Sequence, residues 1–107
     1  MADTPEAKVK RWLRDKMKEW YPDSWHYPCP GGPFGIIGAP DDIWIIRGVF
    51  VAIESKSDAK QSPTQAQWHN LMKIKANGGV VAVMKGKDIS KLLLIRQMIE
   101  DRVKAIP

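Results

Sequence analysis

The 107-residue chain is 44% hydrophobic and 27% charged, a balance that excludes an intrinsically disordered protein and permits a packed core. Because a chain of this length builds one hydrophobic core, we expect a single domain over residues 1–107. No apolar run approaches the ~20 residues that span a bilayer and the first residues do not resemble a signal peptide, so we expect a cytoplasmic protein. The single Cys29 excludes an internal disulfide and argues against a thiolate metal site.

The formal net charge of +5 is compatible with a polyanionic partner, although many basic proteins bind nothing acidic. Basic residues crowd the first twenty positions, where they are Lys8, Lys10, Arg11, Arg14, Lys16 and Lys18. A solvated helix face is the more common meaning of such a cluster.

A first helix is predicted over residues 5–20. Thr4 and Pro5 suit an N-cap and a first helical residue, and the chain meets a second proline at Pro22. Between them, apolar residues recur at helical spacing: Val9, Trp12, Leu13, Met17 and Trp20. Glu6 lies on the same stripe, one turn before the first of these, so its carboxylate is expected to point towards the interior or the edge of a cleft.

Three strands are expected next, interrupted by a long loop. Residues 24–27 suit a short strand, and prolines and glycines then forbid regular structure up to Pro40. A loop of that length in a small domain is more often functional than not. Two β-branched runs, 42–46 and 49–54, flank Arg47 and Gly48 as in a tight hairpin, and the continuous hydrophobicity of the second run predicts a central strand.

The remainder alternates helix, strand and helix. Ser62 and Pro63 repeat the cap-and-proline signature and predict a helix that runs to about Ala76. Residues 80–84 suit a buried strand, and Asp88 or Ser90 caps a last helix. The order α-β-β-β-α-β-α contains a βαβ unit, which normally gives a parallel strand pair. We therefore predict an α/β fold with a mixed sheet of about four strands flanked by helices.

The candidate site consists of Asp41, Glu54 and Lys56. Side chains alternate along a strand, so Glu54 and Lys56 emerge on one face. Counting back from the Arg47 turn places Asp41 roughly opposite Glu54, and the two carboxylates and the lysine then converge. Charged groups at the end of so apolar a strand are costly to bury unless they are paired or bind a metal.

Such a cluster suits metal-dependent phosphodiester hydrolysis. Magnesium takes oxygen ligands and is commonly held by one or two carboxylates together with substrate phosphate and water. A bound metal polarises the phosphate and activates a water, and a lysine ammonium orients that water or offsets negative charge. The short pattern is weak by itself, since a surface ion pair of Glu54 with Lys56, beside an unrelated turn aspartate, is more common.

Four segments of the chain together resemble the VRR-NUC family, the virus-type replication-repair nucleases of the PD-(D/E)XK superfamily. They are GAPD at 38–41, IWIIRGVFVAIESK at 43–56, SPTQAQWH at 62–69 and NGGVVAV at 77–83. The resemblance follows the chain in order over nearly its whole length and is closest to stand-alone, phage-type members. It implies a restriction-endonuclease-like core.

The resemblance also implies roles for individual residues. Asp41 and Glu54 would be ligands of Mg²⁺ or Mn²⁺, with the carbonyl of Ser55 as a further ligand, and Lys56 would be the catalytic lysine. Glu6 matches the acidic residue of the family's first helix and would complete a second metal site. Gln65 matches a glutamine at the start of the second helix, where it would reach a metal-bound water or a phosphate. Ser55 departs from the family pattern, which has a β-branched apolar residue at this position.

The expected activity is thus a divalent-metal-dependent DNA endonuclease that acts on structured DNA such as Holliday junctions, as in DNA repair. The basic first helix and Lys60, Lys73 and Lys75 would contact the phosphate backbone without reading sequence. Because a resolvase cuts two strands symmetrically, a homodimer is expected, with the last helix as candidate interface. The alternative is a DNA-binding or scaffold module that retains the fold without the chemistry.

Overall fold

The computed structural model describes residues 3–31 and 35–107. Its elements follow the predicted order α-β-β-β-α-β-α, and their bounds are α1 Pro5–Trp20, β1 Trp25–Pro28, β2 Asp42–Ile46, β3 Val49–Lys56, α2 Gln65–Ala76, β4 Val80–Lys85 and α3 Ile89–Ala105. The predicted fold class is therefore confirmed. Within the described ranges no helix is both long and apolar enough to cross a membrane.

The four strands form one mixed sheet in the order β1-β2-β3-β4. The first three are antiparallel neighbours, whereas β4 lies parallel to β3 after the crossover through α2. The β2–β3 hairpin closes as predicted at Arg47 and Gly48, whose φ angles are 48° and 87°. Two successive positive φ angles are typical of the tight turns that match the twist of a hairpin, and the two-residue loop sets the strand register.

The two faces of the sheet carry different layers. Alternate residues such as Trp44, Val51 and Ile53 face α1 and α3, and with them form the core cluster. Its buried members are Val9, Leu13, Met17, Tyr21, Trp44, Ile46, Val49, Val51, Ile53, Val80, Met84, Leu92, Ile95 and Ile99. Helix α2 belongs to the βαβ crossover, and its buried residue is Leu71. The end of β3 therefore lies between α1 and the start of α2.

One predicted helix start is wrong. Helix α2 begins at Gln65 with Thr64 as its N-cap, so the expected cap and proline at Ser62 and Pro63 lie in the preceding loop. Thr64 and Gln67 form a capping box, in which each side chain satisfies the other's backbone N–H. Two satisfied N–H groups outweigh the single proline signal and move the start of the helix two residues along the chain.

Residues 32–34 of the predicted irregular stretch lie outside the described residues, and the structure describes the long loop before β2 on either side of them. The loop is closed at its base, where the Cys29 N–H donates to the Asp41 carbonyl at 2.9 Å. Gly38 has a φ of +78° and packs so closely that a Cβ would lie 2.6 Å from the Ala66 backbone. This contact fixes the loop against the first turn of α2, next to Asp41.

Candidate active site

Two carboxyl groups meet where β2 begins and β3 ends. Asp42 pairs with Ile53, and continuing that antiparallel register by one residue places Asp41 opposite Glu54, as predicted from the hairpin. The two side chains lie close enough that each shifts the pKa of the other, and the Ser55 N–H donates to Asp41 Oδ2 at 2.8 Å. Glu54 is only 1% exposed, and its Oε2 has no hydrogen-bond partner among the described residues.

The pKa values of the two carboxyl groups are shifted in opposite directions. Burial, the hydrogen bond to Asp41 and the charge of Asp41 raise the pKa of Glu54 to about 9. Burial acts in the same direction on Asp41, but the hydrogen bonds from Glu54 and the Ser55 N–H, together with the charge of Lys10, lower its pKa. At neutral pH Asp41 is therefore ionised and Glu54 protonated, because two carboxylates in contact repel each other.

Lys56 lies two residues beyond Glu54 on the same face of β3, as the alternation predicted. Its Nζ donates to Gln67 Oε1 at 3.1 Å. The same oxygen accepts the Thr64 N–H at 2.8 Å. The ammonium group is thus held at the start of α2 and still favours the ionised form of Glu54 through its charge.

Lys10 is part of the site, whereas a basic cluster such as the one around it more commonly indicates a solvated helix face. Its Nζ lies 3.3 Å from Asp41 Oδ1 and 3.5 Å from Glu6 Oε2. Burial opposes ionisation of Lys10, but the charges of the two carboxylates outweigh it and raise its pKa. The available signal was the i, i+4 spacing of Glu6 and Lys10, which puts both on one side of α1.

The remaining predicted residues occupy different places. Glu6 is half-exposed and joins the carboxyl pair through Lys10. Gln65 is exposed and lines a surface pocket with Trp68 and His69, and in the described chain no hydrogen bond links it to Asp41, Glu54 or Lys56. Its role at a metal-bound water or a phosphate stays a prediction. Within residues 3–31 and 35–107, no three His, Cys, Asp or Glu side chains gather closely enough to form a metal cluster on their own.

A second acid next to the site, Asp42, was not predicted. It is fully buried on the opposite side of β2 from Asp41. Its Oδ1 accepts from Arg14 Nε at 2.8 Å and lies 2.7 Å from His26 Nε2. These contacts join α1, β1 and β2 directly behind Asp41, so Lys10 and Arg14, one turn apart on α1, contact consecutive aspartates.

The donor set fits a hard divalent cation. Asp41 and Glu54 present carboxyl oxygens at one point, and the unpartnered Glu54 Oε2 is a buried oxygen that a cation would satisfy. Two protein carboxylates plus water and substrate oxygens are what Mg²⁺ commonly takes. Such a cation would displace the proton from Glu54, since metal ligands must be deprotonated.

The fold has a known counterpart. A solved structure described as "VRR_NUC domain" superimposes with a TM-score of 0.68 over 92% of this chain and 97% of that chain, at 22% sequence identity. No protein-family model and no curated protein matches the sequence. At this identity the likeness establishes the fold, and it confirms the architecture expected from the VRR-NUC resemblance.

Proposed function

We propose that the chain is a VRR-NUC-type nuclease that hydrolyses DNA phosphodiester bonds with the help of a divalent metal. The observation that carries the proposal is the approach of the partly buried Asp41 carboxyl group to the buried carboxyl group of Glu54, with Lys56 on the same face of β3. A protein gains no stability from burying two carboxyl groups against each other. A site that binds a cation accounts for their cost, and the VRR_NUC fold supports the proposal.

Asp41, Glu54 and the carbonyl of Ser55 would hold Mg²⁺ or Mn²⁺, and Glu6, which contacts Lys10, is proposed to hold a second ion. The metal, when bound, polarises the scissile phosphate and activates a water. Lys56 offers its ammonium protons to that water or to a phosphate oxygen, where it offsets developing negative charge. Lys10 balances part of the carboxylate charge before the metal binds.

The substrate is proposed to be structured DNA, such as a Holliday junction, and the active form a homodimer that brings two sites to two strands. Lys60, Lys73 and Lys75 are exposed and free to contact phosphates. The first helix supplies fewer such contacts than its composition indicated. Its Lys10, Arg11 and Arg14 pair with acidic residues of this chain.

Cleavage of branched and linear DNA tests the proposal, with Mg²⁺ or Mn²⁺ and then with chelator. We expect cutting that the chelator stops, and we expect Lys56→Ala to lower it by about 100-fold or more while the fold and DNA affinity persist. The exposed turn lysine in Lys87→Ala is the matched control and should cut normally. Binding to DNA without cutting in any metal would instead indicate the non-catalytic DNA-binding module.

Mn²⁺ binding, measured by calorimetry in the absence of DNA, gives a readout that does not depend on activity. The wild type should bind the ion, and Asp41→Asn should abolish binding because it removes the ionised member of the pair. Wild-type protein that binds no divalent ion would contradict the assignment of Asp41 and Glu54 as ligands.

A further inference from the structure

The side chain of Gln67 joins two structures that are otherwise separate, the N-terminal cap of α2 and the lysine at the end of β3. Its Oε1 accepts the Thr64 N–H at 2.8 Å and Lys56 Nζ at 3.1 Å. Its backbone N–H in turn donates to Thr64 Oγ1 at 3.2 Å. One amide oxygen therefore receives two donors, one from each structure.

This geometry leaves the Gln67 amide a single orientation. Both groups that face its oxygen are donors, so exchanging the oxygen with the amide nitrogen would set donor against donor. The capping box fixes the side chain independently of Lys56, because it belongs to the first turn of a twelve-residue helix. Gln67 is thus held in place before it meets the lysine.

The contact restricts the side chain of Lys56 more than that of Gln67. A lysine side chain has four rotatable carbon–carbon bonds and loses considerable rotamer freedom when its ammonium group is held at one point. Among the described residues Lys56 has no ion-pair partner within 4.0 Å, and its side chain donates a hydrogen bond to Gln67. The position of its ammonium group relative to Glu54 therefore depends on the Gln67 oxygen.

We propose that Gln67 is a positioning residue for Lys56, an inference that rests on the proposed nuclease function. The backbone N–H of Thr64 holds the amide oxygen, and the oxygen holds the ammonium group where it faces the reacting phosphate. This role differs from the one implied for Gln65, which lies on the exposed side of α2. Gln67 does not touch the substrate and acts through Lys56.

Three substitutions separate positioning from helix capping. Gln67→Leu keeps the size of the side chain but removes the acceptor for both donors. Gln67→Glu keeps an acceptor oxygen and a residue that suits the capping box. Thr64→Ala breaks the other half of the capping box and leaves the contact of Gln67 with Lys56 in place, so it is the matched control for a weakened cap.

We expect Gln67→Leu to lower kcat for DNA cleavage by about 10- to 100-fold with KM changed by less than about twofold, because a misplaced catalytic group affects the chemical step. Gln67→Glu should restore kcat to within about threefold of wild type. Thr64→Ala should lower the melting temperature as much as Gln67→Leu does, with kcat nearly unchanged.

Adding Gln67→Leu to Lys56→Ala should cause no further loss of kcat, since both substitutions act through one group. Equal losses of kcat in Gln67→Leu and Thr64→Ala would overturn the proposal.

An NMR measurement of the Lys56 side chain tests the same proposal without DNA or metal. The Cε methylene of Lys56 should be ordered in the wild type and in Thr64→Ala, and mobile in Gln67→Leu. A methylene that is equally mobile in all three proteins would overturn the positioning role. A wild type that cuts no DNA but shows the expected ordering would refute the nuclease function and leave the Gln67 contact established.

Discussion

The carboxyl pair of Asp41 and the buried Glu54 gives the protein a stability that depends on pH. The pKa of Glu54 is about 9 in the folded state, and its ordinary value is near 4.5. Between these values the folded chain holds a proton that the unfolded chain has lost, so the free energy of unfolding of the metal-free protein should fall as pH rises. Asp41, whose pKa is lowered, affects stability only at pH values near or below its ordinary 3.8.

Urea denaturation in chelator at pH 5.5 and 8.5 measures this effect. We expect the wild type to lose on the order of 1–3 kcal/mol over the interval, because Lys10, Lys56 and water entering the cleft offset part of the full shift. Glu54→Gln should remove most of the slope and make the protein more stable at pH 8.5. The exposed Glu19 provides the control, as Glu19→Gln should keep the wild-type slope. A wild type equally stable at both pH values would contradict the raised pKa of Glu54.

Lys10 supplies a positive charge where the metal is proposed to bind. Lys10→Met keeps the length of the side chain but removes the ammonium group that pairs with Asp41 and Glu6. The carboxylates should then bind Mn²⁺ about 3- to 10-fold more tightly by calorimetry, because a competing cation is gone. Arg11→Met, which removes a cation from the other pair near the start of α1, should leave the affinity unchanged. Unchanged or weaker binding by Lys10→Met would show that Lys10 does not compete with the metal.

For individual residues, the sequence predicted which backbone positions are neighbours better than it predicted which side chains are in contact. Asp41 could be placed opposite Glu54 because a two-residue turn sets the register of the whole hairpin. The contacts of Lys10 and Gln67 could not be predicted, since they depend on how α1 and α2 dock against the end of β3. The i, i+4 and i, i+3 spacings in each helix were visible, but spacing within a helix does not reveal what its side chains meet on another element.

At the scale of elements, α1 is attached to the sheet by an ion pair that is partly buried. Asp42 is 0% exposed and depends on Arg14 and His26 for its hydrogen bonds. Arg14→Met should lower the free energy of unfolding by about 2 kcal/mol or more, because a buried carboxylate loses a charged donor. Arg11→Met removes the arginine of an exposed pair on the same helix and should leave the unfolding transition unchanged. Similar urea midpoints for the two variants would mean that Asp42 keeps adequate partners without Arg14.

The elements themselves were largely predictable, and the exceptions have local causes. Helix α1 has the predicted bounds because its cap and its stop are both encoded by neighbouring residues, Thr4 and Pro22. Helix α2 starts later than predicted because two cap signals compete within three residues and the capping box of Thr64 and Gln67 is the stronger. Strand β3 runs on to Lys56 because β4 pairs with it up to Lys85. That extension depends on a parallel partner that lies far along the chain.

At the scale of the whole molecule, the order of elements was sufficient to predict the sheet. A hairpin must be antiparallel, and a strand–helix–strand unit normally makes a parallel pair, so three strands, a helix and a strand give a mixed sheet. These two rules give the directions of the β2–β3 and β3–β4 pairs, whereas the strand order β1-β2-β3-β4 was not predicted. The expected dimer interface on α3 stays a prediction, and part of its apolar surface belongs to the core: Leu92, Ile95 and Ile99 are buried, whereas Leu93, Leu94 and Met98 are exposed.

Dimer formation is expected to use the side of α3 nearest β4. Leu94, Met98 and Arg102 recur at i, i+4 spacing and so share a face, and Arg102 donates to the Gly78 carbonyl at 2.7 Å, just before β4. Leu94 is 64% exposed on this face, and in the ranges that the structure describes no strand pairs with the outer edge of β4.

Sedimentation equilibrium should give twice the mass of the chain for the wild type. The double variant Leu94→Lys with Met98→Lys should have the mass of one chain, because buried lysines without partners destabilise an apolar interface. Leu93→Lys alters the neighbouring row of α3 and should remain dimeric. Dissociation by Leu93→Lys, with the double variant still dimeric, would place the interface on the other side of α3, and a monomeric wild type would exclude a stable homodimer.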